Sequence, residues 1–212
     1  MRDIPVFETE YGTAGLVLNQ IPCTGNAYIH ILNTDRLKEL LDECIAFCKM
    51  AGANRIYACG DEGLSLFHHY TDVLRMSCML EDIEDTSDCL MPVTEESCEE
   101  WRLLYNKRMA GVDNAAVLTE IACRKIVKEG GVYFVHSKGN LLGIGIAVGE
   151  EIRAVATVSP GEGARVVRTL CHALSGPLVK VEVATTNIRA IRLYKKLGFL
   201  PNGIIRRWYR VL

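Results

Sequence analysis

The amino-acid sequence predicts an α/β protein in which helices flank a mixed sheet. Three observations support this fold class. In residues 90–212, short runs rich in Val and Ile alternate with runs whose apolar residues recur at helical spacing. Strand-like runs joined by tight turns precede a strand–helix–strand unit, which implies both antiparallel and parallel neighbours. Part of the same order of elements recurs in residues 1–89.

The elements of residues 90–212 are predicted in the order β-α-α-β-β-β-α-β-α-β. They are a strand at LMPV (90–93), helices at TEESCEEWRLLYNKRM (94–109) and NAAVLTEIACRKIVKEGG (114–131), three strands within 132–158, a loop at SPGEGA (159–164), a helix at ARVVRTLCHAL (164–174), a strand at LVKVEVA (178–184), a helix over 187–199 and a last strand at GIIRRWYRVL (203–212). Gly139-Asn140 and Gly149-Glu150-Glu151 mark the turns between the three strands.

The first half is predicted to repeat the later part of this order. Its elements are a strand at AYIHIL (27–32), a helix at RLKELLDECIAFCKMAG (36–52), a strand at NRIYAC (54–59), a short helical segment at LSLFHHY (64–70) and a strand at VLRMSCML (73–80). The repeat is one of pattern rather than of sequence. The acidic segment EDIEDTSD (81–88) is interpreted as a linker, so we predict two domains, residues 1–89 and 90–212.

Composition excludes several classes of protein. Apolar residues make up 49% of the chain, enough for an ordinary core, and no apolar run approaches the ~18 residues of a membrane span. The start has no basic-then-apolar signal, so a cytoplasmic protein is expected. The nine cysteines form no C-x-x-C pair and are expected to be reduced core residues. We expect no metal site.

The charge is unevenly distributed along the chain. Residues 1–89 carry a net charge of −9, and residues 90–212 carry +7. The basic half could hold a polyanion, or the two halves could present solvated surfaces of opposite sign.

The stretch NIRAIRLYKKLGF (187–199) has a structural explanation at every position. Asn187 can cap a helix, and Gly198 can supply the left-handed residue that ends it. One apolar stripe is formed by Ala190, Ile191, Tyr194 and Leu197. The helix by itself therefore predicts no chemistry.

The residues before this helix extend the pattern. Val181 and Val183 lie on the preceding strand, and the fixed spacing then continues through Asn187, Ala190, Leu193, Tyr194, Gly198 and Phe199. This run resembles the signature of the GNAT superfamily, the acyltransferases that use acetyl-CoA. The predicted order of elements in residues 90–212 is also similar to that fold, and residues 1–89 look like a degenerate, non-catalytic GNAT-like partner domain.

The resemblance implies where acetyl-CoA binds. Two parallel strands, ending near Val158 and Val183, would splay apart, and the thioester would lie in the gap. Asn187 would contact the pantetheine arm, and Tyr194 would protonate the leaving thiolate as the catalytic residue. A backbone N–H near Val158 would polarise the carbonyl. The alternative role of Tyr194 is core packing.

The family's pyrophosphate loop, usually Q/R-x-x-G-x-G/A at a helix start, corresponds to residues 158–165, VSPGEGAR. Two registers are open. Either Gly161 and Gly163 are the two glycines, or Gly163 is the first. Glu162 would repel an anion unless its side chain points away. The predicted cofactor-binding residues are Thr157, Val158, Gly161, Gly163, Ala164, Arg165, Asn187 and Tyr194. A plain tight turn is the alternative.

Other chemistry-bearing residues have simpler explanations. Glu150, Glu151, Glu182 and His136 are candidate general bases, but solvated or salt-bridged side chains fit their positions better. Arg206-Arg207-Trp208-Tyr209-Arg210 combines cations with aromatic rings, as nucleic-acid sites do. Strand alternation would split that run between two faces of a sheet, so packing is favoured.

The sequence therefore predicts a GNAT-like N-acetyltransferase that transfers the acetyl group of acetyl-CoA to a small-molecule or peptide amine. No nucleic-acid or membrane partner is expected, and nothing in the sequence specifies the acceptor or the oligomeric state. One alternative is an inactive binding module of the same fold. Another is an assembly protein whose oppositely charged halves associate.

Overall fold

A computed structural model describes residues 5–113 and 115–212 of the chain. Two compact units are present. One comprises Met1–Val73 with Ile204–Leu212, and the other comprises Leu74–Gly203. Residues 74–89 thus group with the second unit and the last nine residues with the first. The division into domains at residue 90 stays a prediction.

The first unit is built around a small sheet and one long helix. Its elements are β1 (Val6–Thr9), β2 (Gly12–Val17), α1 (Ile21–Thr24), β3 (Asn26–Thr34), α2 (Leu37–Met50), β4 (Arg55–Cys59), a 3-10 turn (Glu62–Leu66), the first part of β5 (His68–Met79) and the last part of β11 (Leu200–Arg210). The strand order is β1-β2-β3-β4-β11-β5. Leu16, Ile29 and Ile56 of the sheet and Leu40 of α2 are fully buried against one another.

The predicted strand, helix and strand over residues 27–59 are confirmed by β3, α2 and β4. The short helix predicted over residues 64–70 is wrong in its second half. A 3-10 turn ends at Leu66, and the twelve-residue strand β5 begins at His68. Pairing with a neighbouring strand overrides local propensity here. The sequence reading also missed β1, β2 and α1, which come before the repeat.

The second unit has the predicted order of elements, β-α-α-β-β-β-α-β-α-β. These are β6 (Cys89–Pro92), α3 (Cys98–Met109), α4 (Glu120–Glu129), β7 (Val132–Ser137), β8 (Asn140–Val148), β9 (Glu151–Thr157), α5 (Gly163–Cys171), β10 (Leu178–Ala184), α6 (Ile188–Lys196) and the start of β11. Helix α4 begins later than predicted, and Asn114, where the prediction started, lies outside the described residues.

A strand from the first half of the sequence completes the sheet of the second unit. The order there is β6-β7-β8-β9-β10-β5-β11, so β5 lies next to β10. The Arg75 Nη2–Glu182 Oε1 distance of 2.7 Å marks this pairing of β5 with β10. In the first unit the strand next to β4 is β11, with Tyr209 opposite Ala58. Each half of the sequence therefore supplies one strand to the other half's sheet.

Helices pack on the sheet of the second unit and form two separate hydrophobic cores with it. Val166, Val167 and Leu170 of α5 pack with Tyr194 of α6 and with β10. Trp101 and Tyr105 of α3 pack instead with residues of α4, β7 and β8.

Glycines let α5 approach β8 closely. A Cβ on Gly143 would lie 2.4 Å from the Ala156 carbonyl oxygen, and one on Gly145 would lie 2.3 Å from Leu170 Cδ1. Both glycines of the run LLGIGIAV are thus required by packing.

The acidic segment 81–88 is bound along α5 and does not form a free linker. Arg165 Nη2 lies 2.6 Å from Asp88 Oδ1, and His172 Nε2 lies 2.8 Å from Asp85 Oδ1. Arg168 also pairs with Glu84. Part of the charge asymmetry read from the sequence is therefore neutralised inside the second unit.

Seven of the nine cysteines are buried and all nine are free thiols. Burial raises the pKa of Cys44 and Cys171 to about 12, so these thiols behave as small apolar side chains. No helix within the described ranges is long and apolar enough to cross a membrane.

Candidate active site

Strands β9 and β10 part toward their carboxyl ends. Within the described residues, their parallel register pairs Lys180 with Glu151 and Val181 with Ile152, and goes no further. Beyond Ile152, β9 continues for five residues paired with β8 alone. The edges of β9 and β10 that face each other are thus open, which is the splay that the sequence signature implied.

A cleft of about 430 Å³ lies at this opening. It brings together six of the eight predicted cofactor-binding residues. They are Thr157, Gly161, Gly163, Ala164, Asn187 and Tyr194. The volume is in the usual range for small-molecule sites. The end of β9, the loop before α5 and the signature helix α6 therefore meet in one place.

Tyr194 of α6 joins the core to the cleft. Its ring lies 5.4 Å from the ring of Phe199 and is buried. Its hydroxyl has no hydrogen-bond partner among the described residues. Burial raises the pKa of Tyr194 to about 12, so the phenol is protonated at neutral pH. Packing and a chemical role are compatible at this position.

Asn187 caps α6 and lines the cleft at the same time. Its Oδ1 accepts a hydrogen bond from the Ala190 N–H at 3.1 Å. The cap uses the oxygen of the amide and leaves the Nδ2 donors for another partner.

The loop before α5 leaves backbone donors exposed to the cleft. No side chain caps the helix, and the first intrahelical bond there runs from Val166 N–H to the Glu162 carbonyl. The N–H groups of Gly163, Ala164 and Arg165 are thus the orphan donors of the first turn. Such a helix start is a natural anion site.

The two glycine positions of this loop require glycine for different structural reasons. Gly161 has a φ of +94°, which favours glycine over other residues. A Cβ on Gly163 would lie 2.9 Å from Leu193 Cδ2, so its lack of a side chain lets α5 approach α6.

Arg165 and Glu162 do not line the cleft, although the sequence placed both at the phosphate loop. Their side chains lie on the other side of the loop, beside Ser137, Asn140 and Ser159. Glu162 Oε2 accepts a hydrogen bond from Arg165 Nη1 at 3.0 Å. The carboxylate that would oppose an anion is thus turned away from it.

The backbone at the end of β9 differs from the prediction by one residue. The Val158 N–H donates to the Leu142 carbonyl at 2.8 Å and is not free to polarise a thioester. Val158 and Leu142 are therefore a hydrogen-bonded pair, and Thr157 opposite Gly143 is a non-hydrogen-bonded pair. The Thr157 N–H consequently points away from β8 and toward the gap.

Three cationic residues at the cleft were not predicted from the sequence. Arg108 of α3 donates from Nη2 to the Val158 carbonyl at 2.7 Å, and Arg189 and Lys196 of α6 also line the cleft. Arg189 and Lys196 are seven residues apart and so share a helix face, a spacing that could have revealed them. No carboxylate or imidazole is found among the described residues that line this cleft.

The candidate bases lie elsewhere and are mostly paired. Glu182 accepts from Arg75 at 2.7 Å, Glu150 from Lys180 at 2.6 Å, and Glu151 from Arg153 at 3.1 Å. The pairing of Glu182 agrees with the solvent-side or salt-bridged role expected for it, whereas Glu150 and Glu151, expected to be solvated, are paired as well. His136 faces the bulge in β7 and does not reach the cleft. Trp208 of the basic run is buried among Tyr57, Val73 and neighbouring rings.

The first unit has its own cavity, of about 670 Å³, lined by residues that include His30, Cys59 and Arg206. Its parallel strands β3 and β4 stay paired over five residues, up to His30 opposite Cys59. His30 Nδ1 lies 3.4 Å from the Cys59 Sγ. Burial, and then the nearby Arg206, lower the pKa of His30 to about 4, while burial raises that of Cys59 to about 12. The pair is therefore neutral at pH 7 and suited to packing.

Comparisons with known proteins agree with this geometry. No protein-family model matches the chain. The N-alpha-acetyltransferase RimI of Mycobacterium tuberculosis (strain ATCC 25618 / H37Rv) is 43% identical over 51 residues, 24% of this chain. The match spans 32%, about a third, of that relative's length.

Solved structures match over nearly the whole chain. The GCN5-related N-acetyltransferase from Kribbella flavida has a TM-score of 0.61 and 8% identity, covering 96% of this chain and 58% of its own. A tandem GNAT protein from the clavulanic acid biosynthesis pathway has a TM-score of 0.55 and 13% identity, covering 97% and 80%. A GNAT-family acetyltransferase from Colwellia psychrerythraea has a TM-score of 0.52 and 11% identity, covering 97% and 84%.

The helix-flanked mixed sheet, opened between two parallel strands, is thus the architecture of known acetyltransferases. More particularly, the chain has the GNAT fold. The resemblance predicted from residues 181–199 is confirmed at the level of the fold. The match to a tandem GNAT protein agrees with the predicted fold class of two GNAT-like parts in one chain.

Proposed function

We propose that this protein is an N-acetyltransferase that uses acetyl-CoA as acyl donor and an amine as acceptor. One observation carries the proposal. The gap between β9 and β10 lies beside a cleft that the uncapped start of α5 and Tyr194 both line. The name of the RimI relative, which specifies N-alpha acetylation, supports an amine acceptor.

The residues present fit acetyl-CoA along the length of the cleft. The backbone N–H groups of Gly163, Ala164 and Arg165 would hold the pyrophosphate, assisted by the positive end of α5. Arg189 and Lys196 would attract the remaining negative charge. The Asn187 Nδ2 would donate to a carbonyl of the pantetheine arm.

Acetyl-CoA, when bound, supplies the acetyl group as a thioester. The Thr157 N–H would donate to the thioester oxygen, where negative charge develops. The Tyr194 hydroxyl would donate to the leaving sulfur. Its pKa of about 12 is above the ~8.5 of an ordinary thiol, so the phenol would stabilise the departing thiolate by donating a hydrogen bond while it keeps its own proton.

The acceptor amine would lose its proton to solvent, because the cleft lining holds no carboxylate or imidazole among the described residues. The first unit would serve as a non-catalytic partner, as the pairing of every residue of β4 with β3 suggests. A cytoplasmic location remains our prediction, as does the absence of nucleic-acid and membrane partners.

The test is calorimetric titration of the purified chain with acetyl-CoA, followed by a screen of amines. We expect micromolar binding, weaker binding of dephospho-CoA, and acetylation of at least one amine. Absence of acetyl-CoA binding up to millimolar concentrations would contradict the proposal. Binding without turnover on any amine would favour an inactive binding module of the same fold, which the short loop at residues 158–165 also allows.

A further inference from the structure

Glu162 occupies a position that should interfere with an anion at α5. It is the N-cap residue of this helix. A carboxylate there normally accepts hydrogen bonds from the first-turn N–H groups and is favoured by the positive end of the helix dipole. Those N–H groups are the ones that the proposed pyrophosphate site requires. The sequence alone therefore places a competitor inside the site.

The structure holds this carboxylate away from its own helix. Glu162 makes no capping hydrogen bond. Its Oε2 accepts from Arg165 Nη1 at 3.0 Å, on the side of the loop opposite the cleft. Arg165 therefore satisfies Glu162 with a side-chain donor in place of the helix N–H groups.

Arg165 is itself fixed by a buried anchor. Asp88 accepts two hydrogen bonds from it, at 3.0 Å from Nε and at 2.6 Å from Nη2. Nη2 also donates to Ser137 Oγ at 2.6 Å. The side chain of Asp88 is only 2% exposed, and Arg165 lowers the pKa of this carboxyl below its ordinary value. A bidentate pair with one buried partner fixes the geometry of the arginine.

We propose that Asp88 and Arg165 act as positioning residues that keep the Glu162 carboxylate off the start of α5. The inference deepens the proposed function, on which it rests. Asp88 orients Arg165, Arg165 binds Glu162, and the N–H groups of Gly163 and Ala164 stay free for phosphate oxygens. Without this clamp, Glu162 competes for the same donors and its charge repels the ligand.

The test measures coupling between Glu162 and the clamp. Neutralising both partners together, as Asp88→Asn with Arg165→Gln, avoids leaving an unpaired buried charge. We expect this double variant to bind acetyl-CoA about tenfold more weakly than the wild type, since a released carboxylate reaches the helix start. Adding Glu162→Gln should restore affinity to within about twofold of wild type, whereas Glu162→Gln alone should change affinity by less than about twofold.

Arg165→Lys provides a second route. Lysine keeps a positive charge beside Asp88 but lacks the fork that reaches both carboxylates. It should weaken binding, and Glu162→Gln should again restore it. Thermal unfolding of every variant reports whether the fold is retained, so a double variant that does not fold leaves the lysine pair to decide.

The outcomes separate this inference from the proposed function. If the wild-type chain binds acetyl-CoA and Glu162→Gln changes that affinity equally in every variant, the proposed role of Asp88 and Arg165 is overturned. The proposed function then stands. Weak binding in the Arg165 variants that Glu162→Gln does not restore would instead show that the Arg165 side chain contacts the ligand directly. No binding of acetyl-CoA by the wild-type chain would overturn both.

Discussion

At the scale of single residues, several side chains combine a packing role with a proposed chemical one. Tyr194 is buried against Phe199 while it also lines the cleft, and Asn187 caps α6 while lining the same cleft. Structural and functional explanations of the signature are therefore not exclusive. Substitutions can separate them, because each role depends on different atoms.

Tyr194→Phe should lower turnover by about tenfold or more, because it removes the proposed hydrogen-bond donor and keeps the ring. Acetyl-CoA affinity should stay nearly unchanged. Steady-state kinetics and calorimetry measure the two effects. Tyr105→Phe is the matched control, since Tyr105 is also buried but lies outside the cleft. Unchanged turnover in Tyr194→Phe would remove this residue from the mechanism.

Asn187 can be tested with two substitutions. Asn187→Ala removes both the helix cap and the amide donor. It should lower the free energy of unfolding by about 1 kcal/mol and should also weaken acetyl-CoA binding. Asn187→Ser retains an oxygen that can cap the helix but lacks the amide donor. It should keep the stability, measured by urea unfolding, and still bind acetyl-CoA more weakly. Full affinity in the serine variant would assign Asn187 to capping alone.

His30 makes the stability of the first unit depend on pH. Its pKa falls to about 4 in the folded chain, against ~6.5 when unfolded. Between these two pKa values the unfolded state binds more protons than the folded state. The contribution of His30 to the free energy of unfolding is therefore complete above pH ~6.5 and is lost as pH falls toward 4. Urea unfolding across pH 4–7 measures the effect.

His30→Gln should flatten that dependence, whereas His68→Gln, at an exposed position, should leave it in place. An identical slope in both variants would mean that His30 is not its source.

At the scale of elements, the sequence predicted the features whose pattern lies within one short stretch of the chain. The order of elements in residues 90–212 followed from periodicity and turn residues, and so did the capped helix α6. The placement of β5 beside β10 could not be inferred, since strand pairing between residues a hundred positions apart leaves no local pattern. The same holds for Arg108, which reaches the end of β9 from α3, and for the Asp88–Arg165 pair.

Helix α6 offers a test of charge with a control on the same helix. Arg189→Gln with Lys196→Gln removes two cations that line the cleft, and should weaken acetyl-CoA binding about tenfold at low salt, with a smaller effect at high salt. Arg192→Gln with Lys195→Gln removes the same charge from positions that do not line it. Equal losses in the two double variants would indicate a general effect of net charge rather than a binding site.

At the scale of the whole molecule, the two compact units do not follow the two halves of the sequence. The second unit includes residues 74–79 of β5, and the first includes residues 204–212. Met76 and Cys78 of β5 are buried in the core that also contains Tyr194. The predicted catalytic domain of residues 90–212 is thus incomplete without residues that precede the acidic segment.

A fragment of residues 90–212 should therefore fail to fold, because β10 loses its neighbour and an apolar core is exposed. A fragment of residues 74–212 retains that strand and should be distinctly more stable. Circular dichroism and cooperative thermal unfolding compare the two. Cooperative unfolding of the shorter fragment at the temperature of the longer one would contradict the assignment of β5 to the second unit.

The position of β11 beside β4 also bears on how the protein is made. A ribosome synthesises residues 1–73 before the intervening second unit, and only then the strand β11 that completes their sheet. At the usual rates of translation, the intervening 130 residues of Leu74–Gly203 take on the order of ten seconds. During that interval the unpaired edge of β4 is available to other chains, which makes the nascent first half a natural client for chaperones.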